Sequence, residues 1–544
     1  MSDTRQIDET PEAGGVGPGS GNGIPASANG APTADPEPER ARRGGLTRRQ
    51  FIPGAAGLVA ALGVGGVAGY ELRGGGSSSS STAPKSPPPG APGSGRDSFV
   101  TRNDLLPALV SVNDFAGANP AEASPRFIVL APMPIVAYEG EQRGPMLLDR
   151  RGRMVWYRPG PDSTFDVQIQ QYRGKPVLTW WHGNLVGGHG EGVGEIIDGS
   201  YSRVATVGDA EKLPLDLHEF TLTSRGTALA TQFEQKQVDL SSIGGSKRGV
   251  ALIGHALEID IATNKVLLDW NSLDHVSLKE SYVPAPSDPT ATYDFFHINS
   301  VAETDDGHLL ISGRNTWTLY KVHRTTGQVL WRLGGKRDDF AVPKPTWFSW
   351  QHHARVHGAG EISLFDNANT SGHGSLAKLL SVDETARRVE LKRSYQHPAK
   401  FVATSLGSVQ THPDGNVFVG WGAQPYASEF TADGKLIYDV QFTGPFRSYR
   451  TFLADWEGRP TDKPAVAART QPGGGFAVFA SWNGATEIDH WLVLAGNSSS
   501  SLREVGSQAW SGFETMIVVN SSGPAFAVAA IDHDGNELGR SDVV

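Results

Sequence analysis

Short apolar runs recur along the chain, and each is introduced by a turn glycine. Apolar runs of this length that are bounded by turn residues predict β-strands rather than helices. Five of these openers are recognisable, at residues 174–181, 226–231, 307–312, 360–365 and 415–420. A strand-rich chain with frequent turns is also what the high Gly and Pro contents, 66 and 35 residues, favour.

A second recurring element closes each repeat. It consists of a polar residue, a tight turn and an alternating strand that ends in an aromatic residue, as a β-hairpin would. Copies lie at residues 149–156, 260–270, 323–331, 383–395 and 431–438. With a first unit at 126–160, the pattern gives six repeats of the size of four-stranded blades with insertions. We therefore predict an all-β protein with a six-bladed β-propeller over residues 125–460.

The pattern changes after residue 464. Residues 465–544 contain about seven short apolar strands with no repeat of the earlier motif. This size and rhythm predict a fibronectin-III/Ig-like β-sandwich at the carboxyl end.

Three histidines open three successive repeats: His218, His297 and His352. They precede the turn glycines of their repeats by 8, 10 and 8 residues, all even distances. Side chains alternate faces along a regular strand, so the three imidazoles are expected to face the same way and His353 the other way. Histidines at one register of a circular repeat would converge on its axis, where a propeller can build a site.

Two further polar residues belong to the same prediction. Arg314 lies one strand after His297, and Asn299 lies two residues beyond that histidine, on the same face. A permanent cation near convergent imidazoles disfavours a metal site and favours an anionic substrate, such as a sulfate or phosphate group. Asn299 would donate a further hydrogen bond to that substrate. The alternative is that the histidines are structural and bond across the blades.

Four motifs carry a resemblance to a known family: Asp216-Leu-His-Glu-Phe220, Phe296-His-Ile-Asn-Ser300 with Ile311-Ser-Gly-Arg-Asn315, Trp350-Gln-His352, and Leu364-Phe-Asp-Asn367. In this order they resemble the arylsulfotransferase (aryl-sulfate sulfotransferase) family, over about residues 125–450. The likeness is closest to the actinobacterial and fungal branch, which has the same kind of C-terminal sandwich.

The resemblance implies a role for each candidate residue. His352 would be the nucleophile that takes the sulfuryl group, and His218 and His297 would bind sulfuryl oxygens or exchange protons with phenolic oxygens. Arg314 would neutralise charge on the transferring group. The reaction would be ping-pong, from an aryl sulfate to the histidine and then to an acceptor phenol. It needs no cofactor, and the sequence has no Walker loop for a nucleotide donor.

Composition excludes several other classes of function. The 544 residues include no cysteine, which rules out disulfides, thiolate catalysis and cysteine zinc sites. A net charge of −10 without a basic stripe gives no support for nucleic-acid binding. Neither a serine-hydrolase elbow nor a zinc-protease helix motif is present.

The amino-terminal residues predict export. Residues 1–72 read as a disordered tail that ends in a twin-arginine signal, with Arg48 and Arg49 before the apolar span 53–70. The protein would then be extracytoplasmic, either secreted or anchored to the membrane through that span. A linker and lead-in rich in Gly, Ser and Pro follow over residues 73–124.

Two rival functions stay open. One is a propeller whose three histidines hold a divalent metal for lyase or hydrolase chemistry. The other is an exported, non-catalytic scaffold that binds glycans or proteins. Two local features are also ambiguous: the run 182–194 is either a flexible loop or a substrate contact, and Asp366-Asn367 is expected to cap a turn.

Overall fold

The computed structural model describes residues 95–115, 126–135, 141–368, 374–521 and 523–544. All of them belong to one compact unit, Ala61–Val544. The twin-arginine segment, the span 53–70 and most of the linker lie outside the described residues. Among the described residues, no helix is long and apolar enough to cross a membrane.

The described residues are nearly all β-structure, which confirms the predicted all-β class. The first strands are β1 (Val110–Asp114), β2 (Phe127–Leu130), β3 (Met133–Pro134), β4 (Met146–Leu148), β5 (Met154–Tyr157), β6 (Ser163–Tyr172), β7 (Lys175–Val186), β8 (His189–Ile197), β9 (Arg203–Val207), β10 (Asp216–Leu222), β11 (Thr227–Val238), β12 (Gly249–Asp260), β13 (Val266–Asn271) and β14 (Thr292–Tyr293). They are followed by β15 (Ile298–Glu303), β16 (Leu309–Gly313), β17 (Thr318–Val322), β18 (Val329–Gly334), β19 (His352–Val356), β20 (Glu361–Asp366), β21 (Leu376–Asp383), β22 (Arg388–Tyr395), β23 (Ser408–Thr411), β24 (Val417–Gly420), β25 (Tyr426–Phe430), β26 (Leu436–Phe442), β27 (Phe446–Arg447) and β28 (Thr451–Ala454). The last seven are β29 (Ala465–Thr470), β30 (Phe476–Ser481), β31 (His490–Gly496), β32 (Arg503–Ala509), β33 (Glu514–Val519), β34 (Ala525–Ile531) and β35 (Glu537–Arg540).

In the part of the chain that the structure describes, helical structure is limited to short connections between strands. It comprises α1 (Ser272–His275) and three 3-10 turns at Ser241–Ile243, Leu278–Glu280 and Lys344–Thr346.

Six sheets of antiparallel strands follow one another along the chain. Five are meanders of consecutive strands: β6–β9, β10–β13, β15–β18, β19–β22 and β23–β26. The sixth has the order β28-β2-β4-β5, so its first strand comes from far along the chain. The predicted openers fall on β7, β11, β16, β20 and β24. Each predicted closer forms the final hairpin of its sheet.

The first strands of the six sheets contact one another in a closed order. β28 contacts β6, β6 contacts β10, β10 contacts β15, β15 contacts β19, β19 contacts β23, and β23 contacts β28. The pairing of β28 with β2, with Leu453 opposite Ile128, therefore joins the two ends of the repeat region. This closed series of first strands, β28, β6, β10, β15, β19 and β23, is called the ring below.

Two parts of the chain lie beside these sheets. Strands β29–β35 form the sheets β29-β30-β33 and β32-β31-β34-β35, which share an apolar core that includes Val478, Trp491 and Phe526. The described part of the lead-in contacts these sheets: β1 pairs with β26 as a fifth strand, and the backbone N–H of Thr101 donates to Glu514 at 2.7 Å.

A cluster of buried charges joins several strands of the ring. Arg450, just before β28, donates to Asp166 on β6 at 2.7 Å and to Glu219 on β10 at 3.2 Å. Arg355 on β19 donates to Glu219 at 2.8 Å. Burial raises the pKa of Glu219, but Arg355 and Arg450 outweigh it and hold that pKa below its ordinary value. Two cations and two carboxylates thus compensate one another away from water.

We expect Arg450→Met to destabilise the protein by about 3–5 kcal/mol, because it leaves two buried carboxylates short of their cation. The matched control is Arg459→Met, which removes an arginine paired with carboxylates on the surface. Urea unfolding followed by tryptophan fluorescence measures both. Equal unfolding midpoints for the two variants would contradict the role given to the buried cluster.

Candidate functional site

The structure brings the predicted site residues together at the centre of the ring. The rings of His218 and His297 lie 4.9 Å apart between centroids. His352 lies close enough to Arg314, His297 and His218 for each of them to lower its pKa. Arg314 is held next to His297, at the start of β15, because its backbone N–H donates to the His297 carbonyl at 3.0 Å.

The expectation of regular strand geometry around these histidines is wrong. β10, β15 and β19 each carry a register shift next to the site histidine. His297 and His353 also have positive φ angles of 52°. A bulge adds residues to one strand and re-aims the side chains around it, so simple alternation fails there. The histidines still converge because all three strands carry an irregularity at the same place.

Two carboxylates hold two of the site histidines. Asp216 Oδ1 lies 2.5 Å from His218 Nδ1, and Asp294 Oδ2 lies 2.5 Å from His297 Nδ1. A carboxylate only accepts hydrogen bonds, so each Nδ1 carries the hydrogen and each Nε2 is left for chemistry. The sequence prediction missed both carboxylates, although Asp216 stands two residues before His218 in the quoted motif.

Burial controls the charge of His297. It lowers the pKa of His297 to about 3, with help from His218 and His189 and against the opposing carboxylate of Asp294. Burial raises the pKa of Asp216, but His218, His189 and the backbone bond from Gly190 bring it down to about 2. The site therefore pairs a neutral imidazole at His297 with an ionised carboxylate at Asp216.

His352 is held in one tautomer. Its Nδ1 donates to Asn367 Oδ1 at 2.7 Å, and the Asn367 amide donates in turn to the carbonyls of Ala403 and Leu406. The lone pair is thus on Nε2, which accepts the Leu406 N–H at 3.2 Å. Burial first, and Arg314 second, lower the pKa of His352 well below its ordinary value. Asn367, expected to cap a turn, instead orients this histidine.

Arg314 is buried beside the histidines. Its guanidinium lies 4.8 Å from the centre of the Trp350 ring and donates to the Thr404 carbonyl at 3.3 Å and to Asn315 at 2.9 Å. Burial lowers its pKa to about 10, against the attraction of Asp294, so it stays cationic at neutral pH. Its Nε–H is buried and has no partner among the described residues.

Asn299 and His353 have different surroundings from those expected of a substrate contact. The Asn299 amide donates to the Gln351 carbonyl at 2.7 Å, which supports the backbone next to His352. Its side-chain oxygen is buried without a partner among the described residues. His353 accepts the Val409 N–H at 3.2 Å and packs against Phe452, so its ring is engaged in packing between sheets.

A fourth histidine joins the cluster. His189 lies 4.9 Å from His297 and 5.8 Å from His218 between ring centroids, and its Nε2 is 3.3 Å from Asp294. Burial lowers its pKa, but Asp294 and Asp216 outweigh this and raise it above the ordinary value. The run 182–194 that contains it, expected to be a flexible loop or a substrate contact, is a hairpin of the paired strands β7 and β8 with a turn at residues 187–188.

The arrangement has two chemical capabilities. A buried anion would meet Arg314 and the Nε2 atoms of the cluster. A cation is the other possibility, because two groups of side chains have ligand atoms within 4.8 Å of one another: His189 with Asp216 and His218, and His189 with Asp294 and His297.

The chain resembles several solved structures distantly. A protein of unknown function from Bacteroides caccae matches at 10% identity and a TM-score of 0.36, over 61% of this chain and 99% of that one. A protein from Lactobacillus plantarum matches at 13% identity and a TM-score of 0.34, over 72% and 99%. An inactive variant of virginiamycin B lyase from Staphylococcus aureus, with quinupristin, matches at 7% identity and a TM-score of 0.30, over 69% and 97%. These likenesses are too remote to assign a function.

The sequence itself is more informative. No curated protein sequence matches the chain. The sequence profile of the arylsulfotransferase (ASST) family, however, matches residues 168–443. This match covers half of the chain and contains all the site residues described above. The chain therefore belongs to the arylsulfotransferase family.

Proposed function

We propose that the protein is a nucleotide-independent sulfotransferase that moves a sulfuryl group from an aryl sulfate to a phenolic acceptor through a sulfohistidine at His352. Membership of the arylsulfotransferase family supports a sulfotransferase-type enzyme acting on small molecules. The observation that carries the specific mechanism is the state of His352. It is buried and neutral, its Nδ1–H is fixed by Asn367, and its Nε2 lone pair lies beside the cation Arg314.

In the first half-reaction, Nε2 of His352 attacks the sulfur of the aryl sulfate and the bond from sulfur to the aryl oxygen breaks. The weak bond from Leu406 N–H to Nε2 must open for this attack. The aryl oxide leaves as an anion and takes up a proton from solvent, to which the second half-reaction returns one. In the second half-reaction, Nε2 of His218 or His297 accepts the proton of the acceptor phenol. The phenolic oxygen attacks sulfur, the N–S bond breaks and His352 is restored.

Arg314 supplies the fixed positive charge in both steps. Sulfuryl transfer, like phosphoryl transfer, proceeds through a loose transition state with negative charge on the peripheral oxygens. A cation that is already positioned and shielded from water stabilises that charge without reorganisation. The partnerless Nε–H of Arg314 is available as a donor to one of those oxygens.

We also propose the finer architecture and the location of the protein. Six sheets whose inner strands close after the sixth support a six-bladed β-propeller. The two C-terminal sheets with a shared core support a fibronectin-III-like sandwich. The paired arginines before the span 53–70 support export by the twin-arginine route, to a secreted or membrane-anchored state.

A metal-dependent lyase or hydrolase is the second candidate. Its support is the clustering of His189 with Asp294 and His297, together with the buried, partnerless Oδ1 of Asp294. Against it stands the nearby charge of Arg314, which acts on the pKa of His189 and would repel a divalent cation.

We expect His352→Ala to abolish transfer from 4-nitrophenyl sulfate to phenol, because Nε2 of this histidine is the atom that attacks sulfur in the proposed reaction. The matched control is His353→Gln, whose side-chain oxygen can still accept the Val409 N–H; it should keep most of the activity. Release of nitrophenol, measured with and without phenol, gives both rates. Full activity in the His352→Ala protein would exclude this histidine as the nucleophile.

We expect kcat/KM for 4-nitrophenyl sulfate to change less than about threefold between pH 8 and pH 5. The neutral imidazole is the reactive form, so activity is lost only as the pH falls through the pKa of His352, which lies well below 6.5. Initial rates across this range, with circular dichroism as a control for folding, test the expectation. A tenfold loss per pH unit starting near pH 6.5 would be incompatible with it.

The two candidate functions differ in their need for metal. We expect transfer activity to survive dialysis against EDTA, since the proposed steps use only side chains. Elemental analysis of the dialysed protein establishes that metal has been removed. Loss of activity that returns on addition of Zn²⁺ or Mn²⁺ would favour the metal-dependent candidate instead.

A further inference from the structure

A cavity lies near the candidate site, between the sheets β15–β18 and β19–β22. It has a volume of about 490 Å³, within the range of pockets that hold small organic ligands. Its walls are mainly aromatic and apolar, with Tyr282, Trp317, Phe340, Trp347 and Phe348 among them.

The aromatic walls present flat surfaces. Tyr282 and Trp317 are stacked, with centroids 3.6 Å apart and planes at 7°. Trp347 is 58% exposed at the cavity, unusual for a side chain of this size. Its Nε1–H donates to the Val342 carbonyl at 3.1 Å, which fixes the indole. Preset aromatic surfaces of this kind bind planar rings by stacking.

One side chain lies between the cavity and Arg314 of the candidate site. Trp317 contacts Trp350 at 5.3 Å between ring centroids, and Trp350 in turn carries the guanidinium of Arg314 at 4.8 Å. Ser349 and Ala368, which also line the cavity, stand close in sequence to the nucleophile His352 and its partner Asn367. Trp350 therefore forms the boundary between this cavity and the histidine site.

The polar groups of the cavity favour a hydroxylated ring and disfavour an anion. Burial raises the pKa of Asp338, which is a hydrogen-bond acceptor at the wall. The indole N–H of Trp317 is buried without a partner among the described residues, so it is available to a ligand oxygen. The carboxylate of Asp366 is already neutralised by Lys378 at 2.8 Å.

We propose that this cavity is an aryl subsite, which binds the distal ring of a phenolic acceptor or donor that has at least two aromatic rings. The inference rests on the proposed function for the reaction itself, whereas binding of a ring in the cavity does not depend on catalysis. Single-ring phenols would occupy only the histidine site, and two-ring phenols would occupy both.

The test compares phenol with 4-phenylphenol as acceptors in the wild type, Trp347→Ala and Trp347→Phe. Trp347→Ala should lower kcat/KM for 4-phenylphenol about tenfold, the equivalent of one lost aromatic contact, and leave that for phenol within about twofold. Trp347→Phe should restore most of the loss. Leu267→Ala, which changes an exposed apolar residue outside the cavity, should have no effect on either acceptor. Equal losses for the two acceptors, or none, would overturn the subsite.

Calorimetric titration with 4-phenylphenol separates this proposal from the proposed reaction. If no acceptor is sulfated but 4-phenylphenol still binds the wild type about tenfold more tightly than Trp347→Ala, the reaction is wrong and the subsite stands. If transfer occurs but binding is the same in both proteins, the subsite is wrong and the reaction stands.

Discussion

The buried charge cluster around Arg450 is the interaction on which the rest of the structure depends. Its members come from β6, β10, β19 and the segment before β28, so a single cluster joins sheets that are distant in sequence. Arg450 also donates to the carbonyls of His218 and Asn299, at 2.8 and 3.1 Å. The same guanidinium that compensates two buried carboxylates therefore fixes the backbone that carries the candidate site.

The bulges in β10, β15 and β19 explain how the ring of strands holds two different environments, the candidate site and the charge cluster. His218 and Glu219 are neighbours in sequence, yet the histidine joins the site and the glutamate joins the charge cluster. In β19, His352 faces the site and His353 packs against Phe452. In a regular strand, two neighbouring side chains would also point to opposite faces. In these strands the bulges set the directions of the side chains, and residues near them have positive φ angles.

Burial then gives the site its chemical character. Removing imidazoles from water disfavours their charged forms, so His297 and His352 are neutral where a free histidine would begin to take up a proton. Arg314 stays charged because its ordinary pKa is so high that even strong desolvation leaves it cationic. A neutral nucleophile beside a permanent cation is the combination that transfer of an anionic group needs.

Much of this could be read from the sequence, because repeats, turn glycines and strand lengths are local properties. The all-β class and the grouping of His218, His297, Arg314 and His352 followed from such signals. The partners of these residues did not. Arg450 and His189 act through contacts between segments that lie far apart in the chain. Asp294 and Asn367 lie closer to their histidines in sequence, but no repeat or turn signal marks them as partners.

The role of His189 illustrates the limit best. Its run of glycines suggested a loop, and only the pairing of β7 with β8 brings its ring to Asp294. Likewise, Arg450 is separated from Asp166 by 284 positions in the chain, and no local pattern links them. Long-range closure, rather than residue preference, decides which polar side chains meet.

The central claim is that His352 carries the sulfuryl group between donor and acceptor. Mass spectrometry of the protein after exposure to 4-nitrophenyl sulfate alone, followed by peptide mapping, tests it directly. The account predicts one added sulfuryl group on the peptide that contains His352, which disappears when phenol is added and is absent from the His352→Ala protein. An unmodified protein that nevertheless catalyses transfer, or an adduct on a different histidine, would contradict it.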